Sequence, residues 1–142
     1  MDPTTLVSRE RAERAGQLLA RLRTDGVVTL GAFWAQTEGD GQPYLYIITP
    51  NVDSEGPITA SLHLGRTLRA FQQGVTDPYS LLDPYEIKLI RPSDPLASKI
   101  LEVYRDFPDD QETILYGLPP DPLRPAYVYP AKMFAAPAAP SA

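Results

Sequence analysis

Two loops of this sequence carry polar and charged side chains at positions where binding sites often form. Each loop follows a short segment rich in β-branched apolar residues and leads into a helical pattern that starts at a proline. The carboxyl ends of parallel strands lie at one edge of a sheet, and ligands tend to bind beyond that edge. The sequence therefore predicts a crevice between the loops at 51–56 and 91–95, formed by Asn51, Asp53, Ser54, Glu55, Arg91, Ser93 and Asp94.

The chemistry of this crevice depends on whether its carboxylates bind a ligand or begin helices. Helix N-termini attract anions, whereas Asp53, Glu55 and Asp94 offer the oxygen ligands that a hard cation such as Mg²⁺ prefers. Such side chains also cap helices and complement the helix dipole. The sequence has no glycine-rich phosphate loop and no dinucleotide motif. We therefore interpret both loops mainly as helix starts, and keep a small enzyme or a ligand- or metal-binding domain as the alternative function.

The rest of the sequence offers few groups for catalysis or metal binding. It contains no cysteine and one histidine, which excludes thiolate chemistry and leaves no ordinary ligand set for zinc. His63 is the natural general base near neutral pH, but its place on the helical wheel lies away from the apolar stripe, so we expect it to be solvated. No Gly-x-Ser-x-Gly nucleophile motif is present. We expect a non-catalytic protein with no cofactor and no metal site.

The spacing of apolar residues, helix starts and turns predicts eight elements in the order α-β-β-α-β-α-β-β. They are a helix after Ser8, strands at 27–36 and 44–49, a helix at 57–73, a strand at 86–91, a helix at 95–106, and strands at 113–116 and 126–129. If both strand–helix–strand segments are parallel crossovers of the usual right hand, their helices share a face. We therefore predict an α+β fold, a two-layer α/β sandwich with a mixed sheet of four or five strands and helices mainly on one face.

The domain organisation is expected to be simple. We predict a single globular domain at 8–134, with a flexible N-terminus at 1–7 and a disordered Ala/Pro tail at 135–142. The strand at 27–36 is apolar almost throughout, which is typical of a strand covered on both faces. In the second helix, we expect the buried stripe to be formed by Ile58, Leu62, Gly65 and Leu68, widened by Leu64 and Phe71.

The eight tyrosines of the chain suggest an interaction surface. Alternation along strands puts Tyr44 and Tyr46 on one side of their strand, and Tyr127 and Tyr129 on one side of the last strand. If the helices cover one sheet face, these rings and Trp34 are expected to line the other face, and such amphipathic rings are favoured at interfaces. We therefore predict a non-catalytic binding or assembly module that acts through this tyrosine-rich face or through self-association, with a protein partner or another copy of the chain. A proline-rich segment at 119–125 is an alternative ligand for a partner's aromatic groove.

The charge distribution narrows the choice of partners. The net charge of −5 makes nucleic acid an unfavourable partner. Residues 8–24 contain five arginines and only two glutamates, so the first helix could dock on an acidic partner or on the body of its own chain. No apolar stretch approaches the roughly 20 residues that cross a bilayer, and no signal peptide is evident, so we expect a cytoplasmic protein with no membrane partner. The stretches GAFW, YLYIITP and PSDPLA resemble those of small bacterial proteins, which implies no activity.

Overall fold

The computed structural model describes residues 7–36, 42–76, 81–106, 113–118 and 125–134. Its elements in chain order are α1 (Arg9–Thr24), β1 (Gly31–Ala35), β2 (Tyr44–Ile48), α2 (Asn51–Ser54), α3 (Pro57–Phe71), β3 (Ile87–Ile90), α4 (Pro95–Asp106), β4 (Thr113–Leu115) and β5 (Ala126–Val128), with 3-10 turns at Pro84–Glu86 and Ala131–Phe134. The predicted tail at 135–142, the N-terminal residues 1–6 and most of the proline-rich segment lie outside the described residues. Val7, which the prediction places in the flexible N-terminus, is buried in the core.

Helix α1 begins and ends as its sequence predicts. The Ser8 hydroxyl accepts a hydrogen bond from the amide of Arg11 at 3.1 Å, which satisfies one of the donors left open at a helix start. The helix ends before Gly26, whose φ of +92° is a conformation that side chains other than glycine rarely adopt. Its buried side is formed by Ala12, Ala15, Leu18, Leu19 and Leu22.

The described strands form one mixed sheet with the order β3-β2-β1-β5-β4. Strands β2 and β3 are parallel, and the other neighbouring pairs are antiparallel. The predicted α+β class, the mixed five-stranded sheet and the order of the long elements are confirmed. The chain between β3 and β4 is not the parallel crossover that we expected, because β4 runs antiparallel to β3 and lies at the opposite edge of the sheet.

Helices cover both faces of this sheet. The side chains of α1 and α3 pack on the face that carries Ala32, Trp34 and Ile47, so the long helices lie mainly on one face as predicted, but α3 and α4, the two crossover helices, do not share it. Helix α4 packs on the other face, where Ala97 and Ile100 meet Phe33. The expectation of an open second face is therefore wrong. Helix α4 follows β3 at one edge of the sheet and precedes β4 at the other edge, and it covers this face.

Helix α3 buries a different side from the one that its sequence suggested. The buried residues are Ala60, Leu64, Thr67 and Leu68, and the Thr67 hydroxyl donates to an Asp25 carboxylate oxygen at 2.8 Å, which ties α3 to the end of α1. Of the predicted stripe, Leu68 and Leu64 are buried, whereas Ile58 and Leu62 are 77% and 62% exposed. Two apolar side chains one helical turn apart are thus left in solvent.

Candidate functional site

The structure does not bring the four predicted tyrosines together. Tyr44 and Tyr46 lie on the face that α4 covers, and the Tyr46 ring stacks on the Phe33 ring with centroids 5.0 Å apart. Tyr127 and Tyr129 lie on the face covered by α1 and α3, with their rings edge to face at 5.2 Å. All but Tyr44 are buried. A tyrosine-rich interaction face is therefore not formed.

Trp34 and Tyr129, two candidates for that interface, instead connect β1 and β5 to α1. The indole Nε1 of Trp34 donates to the Tyr129 hydroxyl at 3.0 Å, and this hydroxyl donates to the carbonyl of Ala12 at 2.6 Å. Trp34 is completely buried, so its N–H has no water to replace a lost partner. These polar groups therefore hold the sheet to its covering helix.

The two predicted loops do meet at the carboxyl ends of the parallel strands β2 and β3. The Asp53 carboxylate lies 3.3 Å from Arg91 Nε, with both side chains about half exposed. Between the loops is an open cavity of about 550 Å³, whose walls are Val52, Pro57, Leu89, Ile90, Arg91, Ser93, Asp94 and Pro95. Of the seven residues predicted for the crevice, Arg91, Ser93 and Asp94 line this cavity, and Arg91 is already paired with Asp53.

The remaining crevice residues have separate structural roles. Asn51 is buried, and its side-chain oxygen accepts from the amide of Val28 at 3.3 Å. Asp94 accepts from the amide of Leu96 at 2.9 Å, the predicted cap of α4. By contrast, the N-cap residue of α3 is Gly56 and no side chain caps this helix, so the capping interpretation is wrong for the first loop.

The acidic residues of the crevice do not gather around a common point. Glu55 lies 3.1 Å from Nδ1 of His63, a histidine that is partly exposed as predicted. Asp53 is turned to Arg91 and Asp94 to its helix cap. Within the described ranges, no three His, Cys, Asp or Glu side chains lie close enough together to hold a metal ion.

The solvent face of α3 is the feature that sequence reasoning missed. At 3.6 residues per turn, Ile58, Leu62, Arg66 and Arg69 fall within an arc of about 80°, opposite the buried side. Neither arginine makes an ion pair with a described residue. A Cβ built at Gly65, next to Leu62, would meet no atom within 4 Å. We call Ile58, Leu62, Gly65, Arg66 and Arg69 the α3 face.

Three of the five arginines of α1 contact other parts of their own chain. Arg11 forms an ion pair with Glu86, and Arg14 lies over the ring of Phe71 at 4.7 Å. Arg23 donates to the carbonyl of Met133. Of the two arrangements that the sequence allowed for this helix, docking on the body of its own chain is the one that these contacts form.

A second cavity of about 550 Å³ lies at the end of α1, between the helix and the segment at 27–30. Its walls are mainly apolar and include Phe134 and the half-exposed Val28. Thr29 also lines it, and its hydroxyl is buried without a hydrogen-bond partner among the described residues. Apart from Arg23, which is already bonded to its own chain, no charged side chain lines this cavity.

Comparison of the chain with protein-family models, with curated proteins and with solved structures finds no match in any of the three. Function must therefore be argued from the surface itself. No helix among the described residues is long and apolar enough to cross a membrane.

Proposed function

We propose that this protein is a non-catalytic assembly module that self-associates through the α3 face. The supporting observation is the exposure of Ile58 and Leu62, at 77% and 62%, on the side of the helix opposite the core. Isolated apolar side chains on a surface are ordinary. Two of them on adjacent turns, beside an unobstructed glycine and two arginines that form no ion pair with the described part of the chain, form a continuous strip that another helix can cover.

The strength of this association follows from the number of side chains it buries. Burying one Ile or Leu side chain gains about 1.5–3 kcal/mol, so four such side chains in a dimer gain roughly 6–12 kcal/mol. The loss of translational and rotational freedom costs about 4–15 kcal/mol. The net gain is therefore at most about 8 kcal/mol, so we expect a weak dimer, and a dissociation constant of roughly micromolar is the tightest that these side chains allow.

Sedimentation over a concentration series tests this proposal. The wild-type chain is expected to gain mass from micromolar to millimolar concentrations, whereas Leu62→Glu is expected to stay monomeric, because the new charge would be buried in the interface. Gln17→Glu adds the same charge at an exposed position of α1 and is expected to associate like wild type. A wild-type chain that is monomeric across the series would refute the proposal.

A ligand-binding role for the crevice is the second candidate, and one observation favours it. The carboxylates of Asp53 and Glu55 do not cap α3, so a ligand that displaces Arg91 and His63, with which they now pair, could reach them. Thermal shifts with divalent cations and small anions, measured on wild type and on the Asp53→Asn/Asp94→Asn variant, test this role. Stabilisation that disappears in the variant would support it, and no shift in wild type would exclude these ligands.

The other expectations from the sequence stay predictions. A net charge of −5 makes a protein surface a better partner than nucleic acid. A cytoplasmic location, a bacterial origin and the absence of a membrane partner also stay predictions, and the proposed assembly does not depend on them.

A further inference from the structure

We infer that two copies of the chain pair through antiparallel α3 helices, with a two-fold axis at Leu62. This inference rests on the proposed self-association and specifies its geometry. Most homodimers have a two-fold axis, which requires a surface that is complementary to itself. The α3 face meets this requirement in one orientation, and its charges select that orientation.

The apolar contact is centred on Leu62. In an antiparallel pair centred there, Leu62 meets Leu62 of the second copy, and Ile58 lies opposite the aliphatic stem of Arg66. Arginine can cover apolar surface with its stem while the guanidinium stays in water. Gly65 adjoins this contact with no atom within 4 Å of a Cβ position, so the second helix can approach the backbone closely.

The charges of the α3 face complement the loop that precedes the helix. Helix α3 contains no acidic residue, and Arg66 and Arg69 lie in its second half. Asp53 and Glu55 lie just before its first turn, where they contact Arg91 and His63 of their own chain while their side chains stay 55% and 28% exposed. Antiparallel pairing brings Arg69 of each copy to the level of Glu55 of the other, with Arg66 one turn away from it. This places opposite charges together at both ends of the contact.

A parallel pair would have the opposite effect. It would set Arg66 against Arg66 and Arg69 against Arg69, and like charges in direct contact are unfavourable. The acidic loops of the two copies would also face each other. The same residues therefore favour the antiparallel pair and disfavour the parallel one.

Disulfide trapping can distinguish these arrangements because the chain contains no cysteine. Leu62→Cys places one thiol of each copy at the two-fold axis, so we expect a covalent dimer on mild oxidation. In the antiparallel pair, two thiols from Ile58→Cys are separated by eight residues along the helix, about 12 Å, and Cα atoms more than about 7 Å apart cannot be bridged. Ile58→Cys alone is therefore expected to remain unlinked, whereas a mixture of Ile58→Cys and Arg66→Cys chains is expected to cross-link.

The result separates failure of the geometry from failure of self-association. If wild type dimerises but Ile58→Cys cross-links as readily as Leu62→Cys, the pair is parallel and the inferred geometry is wrong. If wild type dimerises and Leu62→Cys gives no covalent dimer, another surface is used and the geometry is again wrong. If wild type is monomeric at all concentrations, the proposed function fails as well. Ile58 and Leu62 are exposed, so their replacement by cysteine is not expected to disturb the core, and circular dichroism checks that each variant is folded.

A charge exchange gives an independent test of the pairing. Arg66→Glu/Arg69→Glu is expected to weaken its own dimer by about tenfold or more at low salt, because each end then carries like charges. Mixing it with the Asp53→Lys/Glu55→Lys variant is expected to restore association, since both ends of the mixed dimer carry opposite charges. Equal dimerisation of both variants alone and in the mixture would overturn the inferred role of these charges.

Discussion

Replacing Tyr129 by phenylalanine removes one oxygen from a fully enclosed hydrogen-bond chain. In wild type, this hydroxyl accepts from Trp34 Nε1 at 3.0 Å and donates to the Ala12 carbonyl at 2.6 Å. The indole N–H can only donate, and Trp34 is fully buried. In the variant, this N–H has neither a protein partner nor access to water.

The expected cost follows from that lost partner. A buried donor left without a hydrogen bond costs about 1–3 kcal/mol, so we expect the free energy of unfolding to fall by about 2 kcal/mol. With a urea dependence of about 2 kcal/mol per molar, the midpoint of unfolding falls by about 1 M. Because Trp34 is the one tryptophan of the chain, its fluorescence reports the transition directly.

Tyr85→Phe is the matched control for this measurement. The Tyr85 side chain is 87% exposed, so loss of its hydroxyl is expected to change the free energy of unfolding by less than about 0.5 kcal/mol. If Tyr129→Phe is no more destabilising than Tyr85→Phe, the Tyr129 hydroxyl does not hold the sheet to α1. The interpretation of these aromatic residues as structural would then be wrong.

The further predictions concern the space around two glycines, the phenol of Tyr104 in α4 and the ion pair between Asp53 and Arg91. Gly31→Ala is expected to lower the free energy of unfolding by about 1–3 kcal/mol, because the added Cβ would lie 2.8 Å from the Tyr104 ring. Gly65→Ala, with open space around it, is expected to raise the same quantity by about 0.5–1 kcal/mol in dilute solution. Urea denaturation measures both, and equal effects would contradict the packing described. Burial raises the pKa of the Tyr104 phenol above its ordinary value, and a backbone hydrogen bond lowers it by less. The folded state therefore binds this proton more tightly than the unfolded state. The resulting stability is complete below about pH 10 and is lost as the pH rises above that value. In urea denaturation between pH 9 and pH 11, about one unit either side of the ordinary tyrosine pKa, Tyr104→Phe is expected to flatten this loss of stability. An unchanged dependence of the unfolding free energy on pH would refute the assignment of the loss to Tyr104. Asp53→Asn, which breaks the exposed pair with Arg91, is expected to change the free energy of unfolding by less than about 1 kcal/mol, and a larger loss would mean that the pair holds the crevice together.

The sequence predicted the elements well but not the layer on which each lies. The apolar pattern of α1 and its Ser8 cap are local signals, and the structure confirms both. The continuous apolar run of β1 indicated a strand covered on both faces, and every residue of β1 is buried. That signal conflicts with an open tyrosine-rich face. The position of α4 depends on where β4 joins the sheet, and no local pattern specifies that edge.

The orientation of α3 was missed because two of its sides are apolar. The stripe through Ile58 and Leu62 has helical spacing, and so has the stripe through Ala60, Leu64 and Leu68. The two arginines at 66 and 69 continue the first stripe, and this was the available signal that it faces solvent. In the crevice, the meeting of the two loops was predictable from the parallel strands. The pairing of Glu55 with His63 was not predictable, because it depends on the backbone turn at Gly56 that precedes α3.

Burial of the α3 face on self-association can be measured residue by residue by hydroxyl-radical footprinting. Across a concentration series, the account predicts that oxidation of Ile58 and Leu62 slows as the chain associates. The half-exposed Val28 and the exposed Tyr85, which lie outside the α3 face, are expected to react at constant rates. Protection of Ile58 and Leu62 that follows the mass measured by sedimentation would support the account. Unchanged reactivity of both side chains at every concentration would contradict it.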